Sequence, residues 1–128
     1  MVAEVTNGIR VSVKTKYVEG KSNPTMQYYL FVYAIKIENN SEFAVQLLRR
    51  HWHIFDSSAG IREVEGEGVI GQQPVIASGD FFEYESACDL STDIGSMHGV
   101  YFMQRKIDNK QFEIKIPHFE LIVPKRLN

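Results

Sequence analysis

Apolar and polar residues alternate with a period of two along most of this chain, the pattern of extended strands with one buried face. Residues 9–18 read I-R-V-S-V-K-T-K-Y-V, with Ile9, Val11 and Val13 on one face and Arg10, Ser12, Lys14 and Lys16 on the other. That is a half-buried strand whose lysines suit a sheet edge. After a loop at 19–24, residues 27–38 carry Tyr29, Phe31, Tyr33, Ile35 and Ile37 on one face, and the opposite face is also apolar as far as Lys36. A strand apolar on both faces belongs in the middle of a sheet. Further strands follow at 81–85, 97–103 and 111–123, separated by turns at 77–80 and 108–109 and by a polar loop at 86–95. Pro117 interrupts the last of them and marks a bulge or an edge, because proline cannot donate to a ladder.

The centre of the chain, 45–74, holds the single tryptophan, two of the four histidines and a G-x-G-x-x-G. In H-W-H-I-F, Trp52 and Ile54 share one face, while His51, His53 and Phe55 share the other. D-S-S-A-G at 56–60 is turn chemistry, with the Asp and Ser side chains expected to bond the local backbone, and the alternation resumes at Ile61. Setting Ile54 opposite Val64 places Phe55 across from Glu63, His53 from Glu65 and His51 from Glu67. Gly66, Gly68 and Gly71 spell a dinucleotide fingerprint, but V-I-G-Q-Q-P offers no following helix to hold a pyrophosphate. Glycines in this context mark a bulge or a close packing of the backbone, and nucleotides are expected not to bind.

Seven to nine strands with regular turn signals and no 3.6-residue apolar period predict an all-β chain. Its fold class is a two-sheet antiparallel β-sandwich of fibronectin type III or immunoglobulin-like build, with Trp52 in the core. The immunoglobulin cysteine pair is absent, which favours the fibronectin-like variant. The 128 residues suffice for one domain with its own core, spanning 1–128. A net charge of −2 gives no global basic footprint for nucleic acid. The lone Cys88 excludes an internal disulfide and a cysteine-based zinc site, and fits a reducing compartment. The first residues lack the basic-then-apolar build of a signal peptide, and no run is long enough for a membrane-spanning helix. A cytoplasmic chain without membrane insertion is therefore expected.

The chemistry on offer is limited. His51 and His53 lie at i and i+2 on one strand face, where imidazoles suit Co²⁺, Ni²⁺ or Zn²⁺, and Glu65 is the candidate third ligand. Exposed cross-strand His–Glu pairs commonly have no function, so no tight metal site is expected. Ser86, Asp89 and His98 share one region, but no serine sits in a G-x-S-x-G elbow. Cys88 has no evident base, and no catalytic set can be assembled. Arg49 and Arg50 form a local basic pair, with Lys125 and Arg126 at the tail.

Several motifs in one order resemble the ApaG family: V-Q-L-L-R-R-H-W (45–52), E-V-E-G-E-G-V-I-G-Q-Q-P (63–74), S-G-D-F-F-E-Y-E-S (78–86), L-S-T-D-I-G-S-M-H-G-V-Y-F-M (90–103) and I-P-H-F-E-L (116–121). The resemblance covers nearly the whole chain. It implies a fibronectin-III-like sandwich, found alone in bacteria and as a partner-binding module in F-box and polymerase-interacting proteins. It also implies an indirect link to cobalt and magnesium tolerance or efflux. One sandwich cannot form a pore. Family members often carry other residues at the positions of His51 and His53, so the resemblance implies no metal role for them.

The reading is a non-enzymatic protein-interaction module without a cofactor, a monomer or weak homo-oligomer. Its alternative is a metal-responsive or phosphate-binding accessory protein. The expected docking surface is the outer face of the central hairpin, with Phe55 as anchor beside His53, Arg49 and Arg50, adjoined by the loop at 89–96.

Overall fold

The computed structural model describes residues 1–124, so Lys125 and Arg126 lie outside the described residues. Among the described residues nine strands run β1 (Val2–Thr6), β2 (Ile9–Tyr17), β3 (Tyr29–Asn39), β4 (Val45–Asp56), β5 (Gly60–Glu67), β6 (Val75–Ile76), β7 (Phe81–Leu90), β8 (Ile94–Arg105) and β9 (Gln111–Ile122). Two single-turn 3₁₀ segments, Glu19–Lys21 and Pro24–Met26, lie between β2 and β3. The strands form two antiparallel sheets, ordered β1-β2-β3-β7 and β5-β4-β8-β9, with β6 pairing the start of β4 beside β5. The chain is an all-β sandwich. No helix among the described residues is long and apolar enough to cross a membrane.

One core lies between the sheets, and the period-two pattern supplies it from both sides. Val11, Phe31, Ile35 and Ile37 come from the first sheet, and Leu47, Trp52, Met97, Tyr101, Ile114 and Leu121 from the second. Trp52 is 2 % exposed and sits edge-on to Tyr33, Tyr101 and Phe119, at ring separations of 5.4, 6.4 and 5.9 Å. It therefore packs on both sheets at once. Tyr84 and Tyr101 link the sheets with a buried hydroxyl–hydroxyl hydrogen bond of 2.5 Å. Asn39, fully buried where the chain leaves the first sheet, donates to the Phe43 and Ile76 carbonyls and accepts from the Ser41 N–H and hydroxyl. Every polar atom of that side chain is matched, as a buried amide requires.

Four sequence expectations change. β2 is not an edge, because Val2–Thr6 forms an additional strand and pairs with it across an Asn7-Gly8 turn in which both residues have positive φ. The N-G dipeptide was the available signal. The loop predicted at 86–95 is mostly strand: Ser86, Cys88 and Leu90 continue the inward positions of β7, and only 91–93 turn. A polar serine on the inward face hid that continuation. The hairpin register is shifted by two residues, pairing Trp52 with Val64, His53 with Glu63, His51 with Glu65 and Phe55 with Ile61. Gly60, at φ +85°, closes a tighter turn than the sequence reading allowed, and an even shift leaves each side chain on its predicted face. Finally, the Asp56 carboxylate does not serve its own turn. It accepts from the Ser91 N–H (2.7 Å), the Ser91 hydroxyl (2.8 Å) and the Thr92 hydroxyl, so it holds the β7–β8 turn instead.

Candidate functional site

The outer face of the second sheet carries all four histidines. His51 and His53 project from β4. His98 is the cross-strand partner of His53 on β8, and His118 follows on β9. Two local irregularities set this alignment. Around Pro117 the register slips, Met97 facing Phe119 and Gly99 facing Ile116, so Pro117 and His118 together oppose His98. This is the bulge that the proline announced, and it turns His118 outward. On β4 an irregularity between Leu47 and Arg49 resets the parity, so that Arg49, His51, His53 and Phe55 point out while Trp52 and Ile54 point in. Gly99 then lets β8 approach β4 closely, since a Cβ there would lie 2.2 Å from the His51 carbonyl oxygen.

The four rings form a row. His51 stacks on His53 at 4.6 Å, His53 on His98 at 4.9 Å with only 9° between planes, and His98 lies 6.2 Å from His118. Partial burial, followed by the charges of His53 and His118, pushes the His98 pKa below its ordinary value. Along the hairpin edge, His51 Nε2 is 2.7 Å from Glu63 Oε1, and His51 Nδ1 is 3.1 Å from Glu65 Oε1. His53 Nδ1 is 3.7 Å from the same Glu63 oxygen. The carboxylate shared by both histidines is thus Glu63 rather than the Glu65 of the sequence reading, a direct result of the register. Glu65 touches His51 alone. The sequence reading joins neither His98 nor His118 to the pair. Strand parity together with the bulge at Pro117 was the signal that could have done so.

Phe55 lies on the same face, 41 % exposed, beside its cross-strand partner Ile61 at 71 %. Arg49 sits at the other end of the strand, its guanidinium 5.9 Å from the Phe102 ring. Arg50 does not join this patch. It turns inward, packs over Gly66 and donates to the carbonyls of Glu67 (2.9 Å) and Gly68 (2.8 Å). The two arginines stand on opposite faces, which adjacent residues of a strand must do. The 89–96 segment is the end of β7, a three-residue turn and the start of β8, so it does not adjoin the patch as a long loop.

Gly66 lies in the last part of β5, and Gly68 and Gly71 in the turn that follows it, with no helix after them. The Val69 N–H bonds to the Gln72 carbonyl, the Gln72 N–H bonds back to Val69, and the Gly68 N–H bonds to Leu48. Gly68 has φ +59°, and a Cβ there would fall 2.0 Å from the Gln72 carbonyl oxygen. The loop offers Arg50 its carbonyls, which is opposite in sign to a phosphate cradle of free N–H groups.

Arg50, Arg62, Tyr33, Trp52, Ser86 and Cys88 border a cleft of about 370 Å³ where β5 and β7 leave the sandwich open. Its cations are engaged: Arg62 donates to the Asp89 carbonyl at 2.6 Å, with the Asp89 carboxylate 3.9 Å away. Burial pushes the Cys88 thiol up to about 11, so it is protonated at neutral pH. Ser86 and Asp89 belong to β7 of the first sheet and His98 to the outer face of the second, so the structure does not bring these three together.

Residues 19–105 match the sequence pattern of the ApaG domain. The chain is 44% identical over 126 residues to Protein ApaG of Brucella canis, covering 98% of this chain and 96% of that one. Protein ApaG of a Methylobacterium strain is also 44% identical, covering 93% and 91%. Among solved structures, the putative ApaA protein from Bordetella pertussis superposes with a TM-score of 0.87 at 41% identity, covering 91% and 94%. An Archaeoglobus fulgidus protein shares the fold alone, with a TM-score of 0.52 at 10% identity over 88% and 95%. With a domain match over most of its length and relatives that align almost end to end, this chain belongs to the ApaG family.

Proposed function

We propose that this chain is a non-catalytic, cytoplasmic binding module that docks a protein partner on the outer face of the β5-β4-β8-β9 sheet. The observation that carries the reading is the Phe55–Ile61 pair, two large apolar side chains set side by side on an exposed hairpin. His53 and Glu63, the next cross-strand pair on the same face, border it, and interfaces commonly centre on an aromatic anchor with a polar rim. The acidic hairpin edge of Glu63, Glu65 and Glu67 selects a partner surface rich in lysine or arginine. Charged edge strands oppose strand addition, so the partner lies across the face and does not extend the sheet. The protonated Cys88 and the separation of Ser86 and Asp89 from His98 support the non-catalytic reading. The strand order β1-β2-β3-β7 against β5-β4-β8-β9, with the β3–β4 and β7–β8 connections crossing from sheet to sheet, supports a fibronectin-type-III-like assignment. A link to cobalt and magnesium tolerance would then be indirect, through the partner.

The test is affinity capture with three forms of the chain: wild type, Phe55→Ser with Ile61→Ser, and Phe81→Ser on the other sheet as a control. A protein retained by wild type and by the control, lost with the double variant and released by moderate salt supports the reading. Undiminished capture by the double variant would move the interface elsewhere.

A further inference from the structure

We propose that His51, His53 and Glu63 form a binding site for a divalent transition-metal ion that favours imidazole, with Glu65 as the group that orients His51. The argument begins with placement. His51 and His53 stand at i and i+2 on β4, which is paired on both sides, and Glu63 lies directly across from His53 on β5. Ligands on paired strands are held far better than ligands on a loop. One ligand atom from each of the three residues falls within 4.8 Å of the others. A tetrahedral site with metal–ligand bonds of about 2.0–2.1 Å spaces its ligand atoms roughly 3.3 Å apart. The observed separations of 2.7 Å (His51 Nε2 to Glu63 Oε1) and 3.7 Å (His53 Nδ1 to the same oxygen) straddle that value. Small side-chain rotations would close the difference, and the half-exposed position leaves room for solvent at a fourth position.

The surroundings reinforce the site. The second nitrogen of His51 lies 3.1 Å from Glu65, the carboxylate–histidine–metal arrangement that fixes a ligand's tautomer and ring orientation. His98, stacked in parallel on His53, limits the rotation of that ring from behind. The nitrogen-rich donor set selects against Mg²⁺, which prefers oxygen ligands, and favours Zn²⁺, Ni²⁺ or Cu²⁺.

Titration of the purified chain with zinc chloride near neutral pH, followed by calorimetry, tests the site. One zinc per chain with a low-micromolar Kd is expected, and excess Mg²⁺ should not compete. His53→Gln and Glu63→Gln should each weaken binding by ~30-fold or more, Glu65→Gln by about tenfold, and His118→Gln not at all. Circular dichroism checks that each variant is folded. In the wild-type chain alone, zinc should shift the imidazole proton resonances of His51 and His53. A Kd weaker than about 100 μM overturns the proposal, as does undiminished affinity in folded His53→Gln, the absence of imidazole shifts, or half a zinc per chain with dimer formation.

Discussion

Asp56 shows how much one side chain can organise. Burial acts to raise its pKa, but the hydrogen bonds from Thr92 and from the Ser91 hydroxyl and N–H outweigh it, and the net shift is downward. A carboxyl whose folded pKa lies below its unfolded value of about 3.9 stabilises the fold above that value. The contribution is lost as pH falls through the folded pKa. Urea midpoints should therefore drop below about pH 4, and the drop should be shallower in Asp56→Asn, which has no carboxylate to protonate. At neutral pH, Asp56→Ala should cost about 3 kcal/mol, because three donors lose a charged acceptor at a buried position. A loss under about 0.5 kcal/mol would mean that the β7–β8 turn holds without it. The position was legible as a turn residue. Its actual partner was not, because the bond joins residues 35 and 36 positions apart, and period and propensity carry no information about such contacts. Trp52 was legible as core for the opposite reason, since its burial follows from strand parity alone.

At the scale of elements, strand existence follows from alternation, while strand pairing depends on turns. The hairpin illustrates the difference. Its faces were readable because any even register preserves them, but the partner of His53 depended on whether Gly60 closed a shorter or a longer turn. That one choice moved the shared carboxylate from Glu65 to Glu63. The N-terminal strand and the second half of β7 were missed where a short run or an inward serine broke the pattern. The G-x-G-x-x-G was read as structural, and its geometry yields a contrast between two of its glycines. Gly68 combines φ +59° with the Gln72 carbonyl in the space of any Cβ, whereas Gly71, at φ +75°, has open space around it. Gly68→Val should cost about 2–4 kcal/mol, since strain and overlap add, and Gly71→Ala about 1 kcal/mol, for the left-handed backbone alone. Urea denaturation of the two variants checks this. Equal losses would mean that the turn rearranges around the clash.

For the whole molecule, the question is whether two sheets with separate hydrogen-bond ladders behave as one unit. Three features couple them. Trp52 belongs to the second sheet but packs edge-on against Tyr33 of the first, and the buried Tyr84–Tyr101 hydrogen bond crosses the same gap. On one side β9 packs against β1 and β2, where the Lys115 N–H donates to the Thr6 hydroxyl at 3.2 Å. Neither sheet can leave without exposing the apolar face of the other, so no partly folded state is stabilised by the core. Unfolding should be a single cooperative transition, as for most domains of this size. Far-ultraviolet circular dichroism reports the ladders, while Trp52 fluorescence reports the contact between sheets. The two urea curves should superimpose. Most contacts join residues distant in sequence, so refolding should fall in the milliseconds-to-seconds range of all-β domains. A fluorescence transition that precedes the loss of strand signal would show the sheets parting before they melt, and would replace the single unit with two weakly coupled layers.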